Sequence, residues 1–561
     1  MECLINLLIS TTDLKSPGLD IGNPASIIFT PNDSSLSAII SLFFVLSLHP
    51  GTCSPSRSVV SKIWNLAGVL RDDGVGYGDY LEQITYLLFL KMADELNKPP
   101  YSKGLKFPKL KDVEGNEIAD GETCDWETLS NKRGAELESF YSQLLRSLST
   151  EKGMLGQIFT KSQNKIQDPS KLLKVVDLID KENWNLMGAD IKGKIYEGLL
   201  EKNAMDSSGS SGAGQYFTPR ALIKTIVACV QPQPLKTIAD PACGTGGFFL
   251  AAYDWIVDNN KLDREEKAYL KNDTFYGNEI VANTRRMCLM NMYLHNIGEI
   301  DGDTMIKSTD ALISDDGTRV DYVLANPPFG KKSSMTITNE EGEAEKQDMS
   351  YNRQDFWETT SNKQLNFLQH IKTMLKITGE AAVVLPDNVL FEGGAGEEVR
   401  KQLLKTTELH TILRLPTGIF YAPGVKANVL FFNNKPASKD AWTKEVWFYD
   451  YRTNIHHTPK KRVMTMQHLD EFIKLYNPDN LNKRKETWSE ENEEGRWRKY
   501  AYEDIIFRDQ TSLDIFWIKD KGLTDLDNLP DPDILANEII ENIESGLNSF
   551  REIMETIDGA K

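Results

Sequence analysis

The sequence predicts an α/β protein: a doubly wound, mostly parallel sheet, with an all-helical domain before it and a helical tail after it. Three observations predict this. From residue 235 onward, short apolar runs alternate with helical stretches, the rhythm of successive βαβ units. A glycine-rich turn follows the first of those runs, where such sheets bind ligands. Residues 61–203 instead carry apolar side chains at helical spacing, as in Tyr80, Ile84, Leu87, Leu88 and Lys91, and again in Leu172, Leu173, Val176, Leu178 and Ile179.

Taken in order, residues 1–57 differ from the rest. They are poor in charge and rich in Ser, Leu and Ile, and their apolar run over 38–48 is too short to span a bilayer. Only Lys15 precedes that run, balanced by Asp13, Asp20 and Asp33, so the basic start of a signal peptide is missing. The segment reads as an extension outside the fold, from a start site placed too early, with a functional leader as the other reading. A helical domain over 58–204 follows. Within it, residues 188–194 fit GxxxxGK, but Ile195 stands where a phosphate loop needs Ser or Thr and no strand precedes, so a nucleotide site is rejected. Residues 205–214, Met-Asp-Ser-Ser-Gly-Ser-Ser-Gly-Ala-Gly, are a flexible linker by composition, expected to order when a ligand binds.

Residues 215–435 are expected to form the α/β domain, with strands at 237–240, 274–277, 321–325, 381–385, 411–415 and 429–432. The first ends in Asp240-Pro241-Ala242-Cys243-Gly244-Thr245-Gly246-Gly247-Phe248-Phe249 and runs into a helix. Its glycines let backbone approach a ligand closely, and the helix start offers unpaired N–H groups. The GxGxxG spacing is missing and the turn holds no basic residue for phosphates. A small zwitterion such as S-adenosylmethionine therefore fits better than a dinucleotide.

The run over 322–325 ends in Asn326-Pro327-Pro328-Phe329-Gly330. The prolines donate no N–H and fix the turn, leaving carbonyls outward. The Asn326 side-chain oxygen and the Pro327 carbonyl, beside the Phe329 ring, suit a flat base bearing an amino group.

With both motifs in place, the sequence resembles the N6-adenine methyltransferases, and more closely the modification subunit of type I restriction-modification systems. Gly214-Gln215-Tyr216-Phe217-Thr218-Pro219-Arg220 is similar to the family segment that closes over the methionine end of the cofactor. Residues 240–249 resemble its cofactor motif and residues 326–330 its catalytic motif, in the family's order. Residues 64–68 and 91–95 are similar to its helical N-terminal domain. The resemblance spans roughly residues 58–561. It implies a Rossmann-like, S-adenosylmethionine-dependent methyltransferase fold, with cofactor contacts from Gln215, Tyr216, Phe217, Thr218, Pro219, Arg220, Asp240, Ala242, Gly244, Thr245, Gly246 and Gly247. It implies further that Glu279 holds the ribose and Asp310 meets the cofactor adenine, although Asp303 competes for that second role and Glu279 has a helix-capping alternative. Asn326, Pro327, Pro328 and Phe329 then form the catalytic turn. Cys243 serves as a small residue rather than a nucleophile. Adenine N6 lies inside a duplex, so the base must be flipped out onto Phe329, with Phe420 or Tyr421 as a second aromatic wall. The implied partners are DNA, one specificity subunit per two modification subunits, and a restriction/translocase subunit, in the cytoplasm.

Composition agrees with borrowed specificity. With 64 Lys and Arg against 82 Asp and Glu the net charge is −18, which argues against free-standing duplex binding. Six scattered cysteines (3, 53, 124, 229, 243 and 288) contain no CxxC, and the seven His residues show no metal-ligand spacing; His456-His457 reads as a solvated loop pair. No metal, zinc site or membrane span is expected. Residues 331–360 read as a long polar loop, DNA-facing or merely solvated. Residues 436–561 lose the βαβ rhythm and end in an amphipathic helix over 533–558, which packs on its own domain or on a partner. An RNA or protein-glutamine methyltransferase and a non-catalytic cofactor-binding scaffold are the competing functions.

Overall fold

A computed structural model describes residues 60–63, 77–99, 106–182 except 113, 198–199, 217–330, 334–338, 344–348, 350–420, 424–458, 462–520 and five positions from 536 to 547. The expectations for residues 1–57, the GxxxxGK stretch, the linker, Gln215, Tyr216 and Tyr421 lie outside the described residues.

The N-terminal part is a packed set of helices: α1 (Tyr77–Asn97), α2 (Trp126–Asn131), α3 (Gly134–Ser149), α4 (Gly153–Phe159) and α5 (Pro169–Lys181). Each starts or packs for a visible reason. Asp125 caps α2 by accepting from Thr128 N at 2.8 Å, and Asp168 caps α5 through Ser170 N at 2.8 Å, ahead of Pro169 in the first helical position. On α3 the buried side chains Leu137, Phe140, Tyr141, Leu144, Leu145 and Leu148 repeat every three or four residues and form its core face. Isolated bridges, Lys109 to Thr123 and Lys111 to Glu117, are the departures from an all-helical segment.

The second part is a nine-stranded sheet among the described residues. In chain order come α6 (Arg220–Val230), β1 (Ile238–Asp240), α7 (Gly247–Asn259), α8 (Arg264–Asn272), β2 (Phe275–Asn278), α9 (Ala282–Leu294), β3 (Ile306–Lys307), β4 (Val320–Ala325), β5 (Ser334–Thr338), β6 (Ala344–Asp348), α10 (Lys363–Met374), β7 (Leu375–Pro386), α11 (Ala395–Thr406), β8 (Thr407–Arg414), β9 (Ala427–Asn434), β10 (Glu445–Asp450), α12 (Asp470–Tyr476), β11 (Trp497–Ala501) and α13 (Tyr502–Ile506). The large sheet runs β11-β10-β8-β9-β7-β4-β1-β2-β3. The stretch from β3 to β7 is parallel, β9 lies antiparallel between β7 and β8, and β11 is an antiparallel edge.

Alternation along the strands separates two cores. Leu324, Ala382, Val384, Val429 and Phe431 face one, with α6, α7, α9 and the N-terminal helices. Val323, Ala325, Ala381, Val383, Leu430 and Phe432 face the other, with α10 and α11. Burying each such side chain contributes roughly 1.5–3 kcal/mol. The sheet is therefore doubly wound, as expected, and all six expected strands lie in it.

Three features differ from the sequence reading. The stretch after residue 330 is not a structureless loop: β5 and β6 pair as an antiparallel ladder from Ser334–Asp348 to Thr338–Ala344. The sheet does not stop at residue 435 either, because β10 pairs in parallel with β8 and β11 with β10. His457 is buried rather than solvated; its Nε2 lies 2.8 Å from the Tyr451 hydroxyl and its Nδ1 2.9 Å from the Arg462 carbonyl. Burial holds its pKa below the ordinary value, so the neutral ring fills a polar cage. In the tail, Ala536, Ile539, Ile540, Ile543 and Leu547 are helical, and those four large apolar side chains are exposed.

Candidate active site

The connections place the site. From β1 the chain moves outward to β2 and β3, then crosses back to β4 on the other side of β1. The parallel strands end on one edge, and the reversal opens a crevice between the ends of β1 and β4. The glycine-rich turn leaves β1 there and Asn326 leaves β4. They line one cleft of about 340 Å³, mouth included, together with Phe217, Thr218, Arg220 and Ile223 from the start of α6. Asp240, Ala242, Cys243, Gly244, Thr245, Gly247 and Phe248 form its floor.

The turn needs its glycines. Gly244 and Gly246 have φ of 56° and 81°, a region that strains other residues. A side chain on Gly247 would put its Cβ 2.8 Å from Arg220 Nη1 and 2.9 Å from Ile223 Cδ1, closing the gap between turn and α6. Arg220 lies over the Phe217 ring, 5.3 Å from its centroid, so a basic residue absent from the turn arrives from α6.

Two buried carboxylates organise the floor. Asp240 accepts from Ala242 N at 3.0 Å. Burial, with some help from the Glu279 charge, pushes its pKa up to about 8, against the Ala242 bond that favours the charged form. Glu279 accepts from Gly244 N at 3.1 Å and Val281 N at 2.7 Å, tying the turn to the end of β2, and burial raises its pKa as well. Cys243 and Cys288 lie 3.9 Å apart, Sγ to Sγ, and both are buried. This contact, and then burial, hold the Cys243 thiol far above its ordinary pKa, so it is a protonated filler.

Among the described residues the Asn326 side chain is held by one bond: its Nδ2 donates to Thr218 Oγ1 at 2.8 Å. Its Oδ1 is buried and accepts no hydrogen bond among the described residues. Such an orphan costs about 1–3 kcal/mol, which a ligand amino group would recover. Pro327 is buried, Pro328 half-buried, and Phe329 meets Phe420 edge-on with ring centroids 5.5 Å apart.

Asp310 does not line this cleft. Its Oδ1 caps Leu312 N at 2.9 Å and its Oδ2 accepts from the Tyr351 hydroxyl at 2.9 Å. Tyr351, Ala311, Leu312 and Phe367 form a small cluster against which Ala242 of the turn packs, so Asp310 stands beside the turn. Pro219, the N-cap of α6, and Gly246 do not line the cleft, although their chain neighbours Thr218, Arg220, Thr245 and Gly247 do.

Sequence reasoning missed three supports. Asn291, fully buried on α9, donates from Nδ2 to the Thr245 carbonyl at 3.0 Å and braces the glycine turn. Tyr351 orients Asp310. Gln364, fully buried at the start of α10, donates to the Phe329 carbonyl at 2.6 Å. For Asn291 and Gln364 the one signal was a polar residue on a helix that buries it; Tyr351, in a polar non-helical stretch, gave none. Among the described residues no three His, Cys, Asp or Glu side chains converge as metal ligands, and no helix is long and apolar enough to cross a membrane.

Comparison with known proteins gives the same answer from a separate direction. Residues 187–515 match the N-6 DNA Methylase family and residues 59–179 the HsdM N-terminal domain. The chain is 38% identical over 539 residues to the type I restriction enzyme StySJI methylase subunit of Salmonella typhimurium, covering 90% of this chain and 96% of that one. It is 37% identical over 539 residues to the EcoKI methylase subunit of Escherichia coli K12, with the same coverage. The solved type I methyltransferase subunit of Streptococcus thermophilus shares the fold, with a TM-score of 0.60 and 18% identity over 82% of this chain and 98% of that one. The chain thus belongs to the methylase subunits of type I restriction enzymes, and is an N-6 adenine DNA methyltransferase.

Proposed function

We infer that this cleft transfers a methyl group from S-adenosylmethionine to N6 of an adenine flipped out of duplex DNA, with Asn326 at the reacting nitrogen. The carrying observation is the buried Asn326 Oδ1, an acceptor with no partner among the described residues, in the wall of the cleft that the glycine turn floors. S-adenosylmethionine supplies an activated sulfonium methyl group. The residues present fit it: a buried acidic pair, a turn with no side chain at Gly247, and Phe217, Thr218 and Arg220 lining the cleft, with Pro219 between them in the chain. Gln215 and Tyr216 would complete that cover. Asp240, Ala242, Gly244, Thr245, Gly246 and Gly247 would line the cofactor and Glu279 would hold the ribose, while Asp310, outside the cleft lining but beside the turn, would meet the cofactor adenine only where that ring extends past Ala242.

Adenine N6 is a weak nucleophile because its lone pair is delocalised into the ring. Asn326 Oδ1 and the Pro327 carbonyl would accept its two hydrogens and favour a more tetrahedral nitrogen. The Phe329 ring, braced edge-on by Phe420, would hold the base face and align N6, so positioning supplies much of the rate. No base is required before attack, since the cationic product loses its proton afterwards.

The relatives are named as subunits of restriction enzymes, and this chain's charge of −18 suits one that borrows its grip on DNA. We propose that it works in the cytoplasm with a specificity subunit that reads the sequence, two modification subunits to one, and with a restriction/translocase subunit for cleavage. Asn326→Ala tests the reading. Cofactor binding by calorimetry should stay within about twofold, while methyl transfer falls by at least ~100-fold; unchanged turnover would sink the assignment.

A further inference from the structure

The catalytic turn has an anchoring problem. Pro327 and Pro328 offer no N–H, so the chain can hold the turn mainly through carbonyls. The carbonyl of Phe329 is held by Gln364, whose Nε2 donates to it at 2.6 Å. The other end of the same amide is also used: Gln364 Oε1 accepts from Asn388 Nδ2 at 2.8 Å. Asn388 Nδ2 in turn donates to Glu392 Oε2 at 3.2 Å, and Asn362 Nδ2 donates to the same oxygen at 2.9 Å. Asn362 is the N-cap of α10, accepting from Gln364 N at 2.9 Å, so the helix start is locked into the chain. Arg400 holds the Glu392 backbone, donating from Nη2 to its carbonyl at 2.6 Å.

An ionised carboxylate can only accept. Glu392 therefore dictates that Asn388 turns its NH₂ outward. Gln364 must then offer its oxygen to Asn388 and its NH₂ to Phe329. A symmetric amide is given one orientation by a charge two side chains away. The segment that supplies Asn388 follows β7, the strand paired with β4, so the chain of bonds spans the neighbouring strand ends that carry the site.

We propose that Glu392, Asn388 and Gln364 form a polarity relay that positions the Phe329 ring for capture of the flipped base. None of the three touches the cofactor cleft, so they are positioning residues rather than catalytic ones. The inference rests on Phe329 being the stacking surface.

The test uses the full-length chain assembled with its specificity subunit, with kcat read on duplex DNA carrying the target adenine and base capture read on a matching duplex with 2-aminopurine in its place. Gln364→Met keeps the volume and removes both bonds; Gln364→Glu turns an oxygen towards the Phe329 carbonyl. Both should leave cofactor Kd within about twofold, and lower kcat and the 2-aminopurine signal by roughly 10–100-fold, the scale of an ångström's misplacement. Glu392→Gln loosens the orientation without emptying the site and should fall between these variants and the unaltered chain. Unaltered turnover and fluorescence in both Gln364 variants overturns the relay. So does a parallel loss of cofactor affinity and Tm, which marks a merely structural role. Phe329→Ala run alongside separates the two layers: if it keeps full fluorescence, the stacking reading itself has failed and the relay with it.

Discussion

In the proposed reaction Asn326 is the residue on which the chemistry turns, and its neighbours make distinct predictions. Phe329→Ala should weaken base capture more than cofactor binding, read from base-analogue fluorescence against calorimetry. Asp240 predicts a pH effect. Its carboxyl is held protonated up to about pH 8 by burial, well above its value in an unfolded chain. Ionising it in the empty cleft therefore costs stability increasingly as pH rises from about 4 to 8. A cationic ligand lowers that pKa, so cofactor binding should release a proton and tighten from pH 6 to 8 before levelling off. Calorimetry in buffers of different ionisation enthalpy would detect the proton, and a flat profile would contradict it. Gly247→Ala should weaken the cofactor about tenfold with little change in Tm, because only the flexible ends of Arg220 and Ile223 need to move. Of the candidate site, the sequence pointed to residues whose type the proposed chemistry demands beside a turn, and the structure brings Asn326, Gly244 and Gly247 of these into one cleft. Gln364, Asn291 and Tyr351 were not legible, because a lone amide or phenol gains meaning only from the backbone carbonyl or carboxylate it reaches across the fold.

Helix α9 joins the two halves of the protein. Its Arg286 pairs with Glu82 of α1 at 2.6 Å, donates to the Thr160 carbonyl at 2.6 Å and lies over the Tyr86 ring. Five residues along the same helix, Asn291 braces the glycine turn. Arg286 is nearly buried, so Arg286→Ala leaves Glu82 without its charge partner and should cost about 3–5 kcal/mol. Denaturant unfolding would measure it, and a loss below 1 kcal/mol would show that the seam is held by apolar packing alone. The six central strands were legible because strands buried on both faces read as continuous apolar runs. The edges were not. In β11 one side chain, Trp497, is buried while the alternate residues are polar or exposed, and β3 is two residues long. The β5–β6 hairpin was hidden by polar residues, Glu345 to Asp348, on its second strand. Histidine pairing misled for the same reason: adjacent His456 and His457 share no environment, since the cage around His457 comes from Tyr451 and Arg462.

At the scale of the whole molecule, the proposed function gives an acidic chain the methyl-transfer site and leaves much of the grip on DNA to a partner. The fold was legible from βαβ rhythm and motif order, whereas the extent of the sheet beyond residue 435 was not, because β10 needs β8 to complete it. The purified chain alone should transfer little methyl label to duplex DNA, with sequence-specific transfer appearing when its specificity subunit is added. The most direct measurement is nucleoside analysis of duplex DNA, RNA and protein after incubation of the assembled enzyme with radiolabelled S-adenosylmethionine. The label should be recovered as N6-methyladenine from the DNA and should vanish in Asn326→Ala. Label in RNA or in protein glutamine, or undiminished N6-methyladenine from Asn326→Ala, would contradict it.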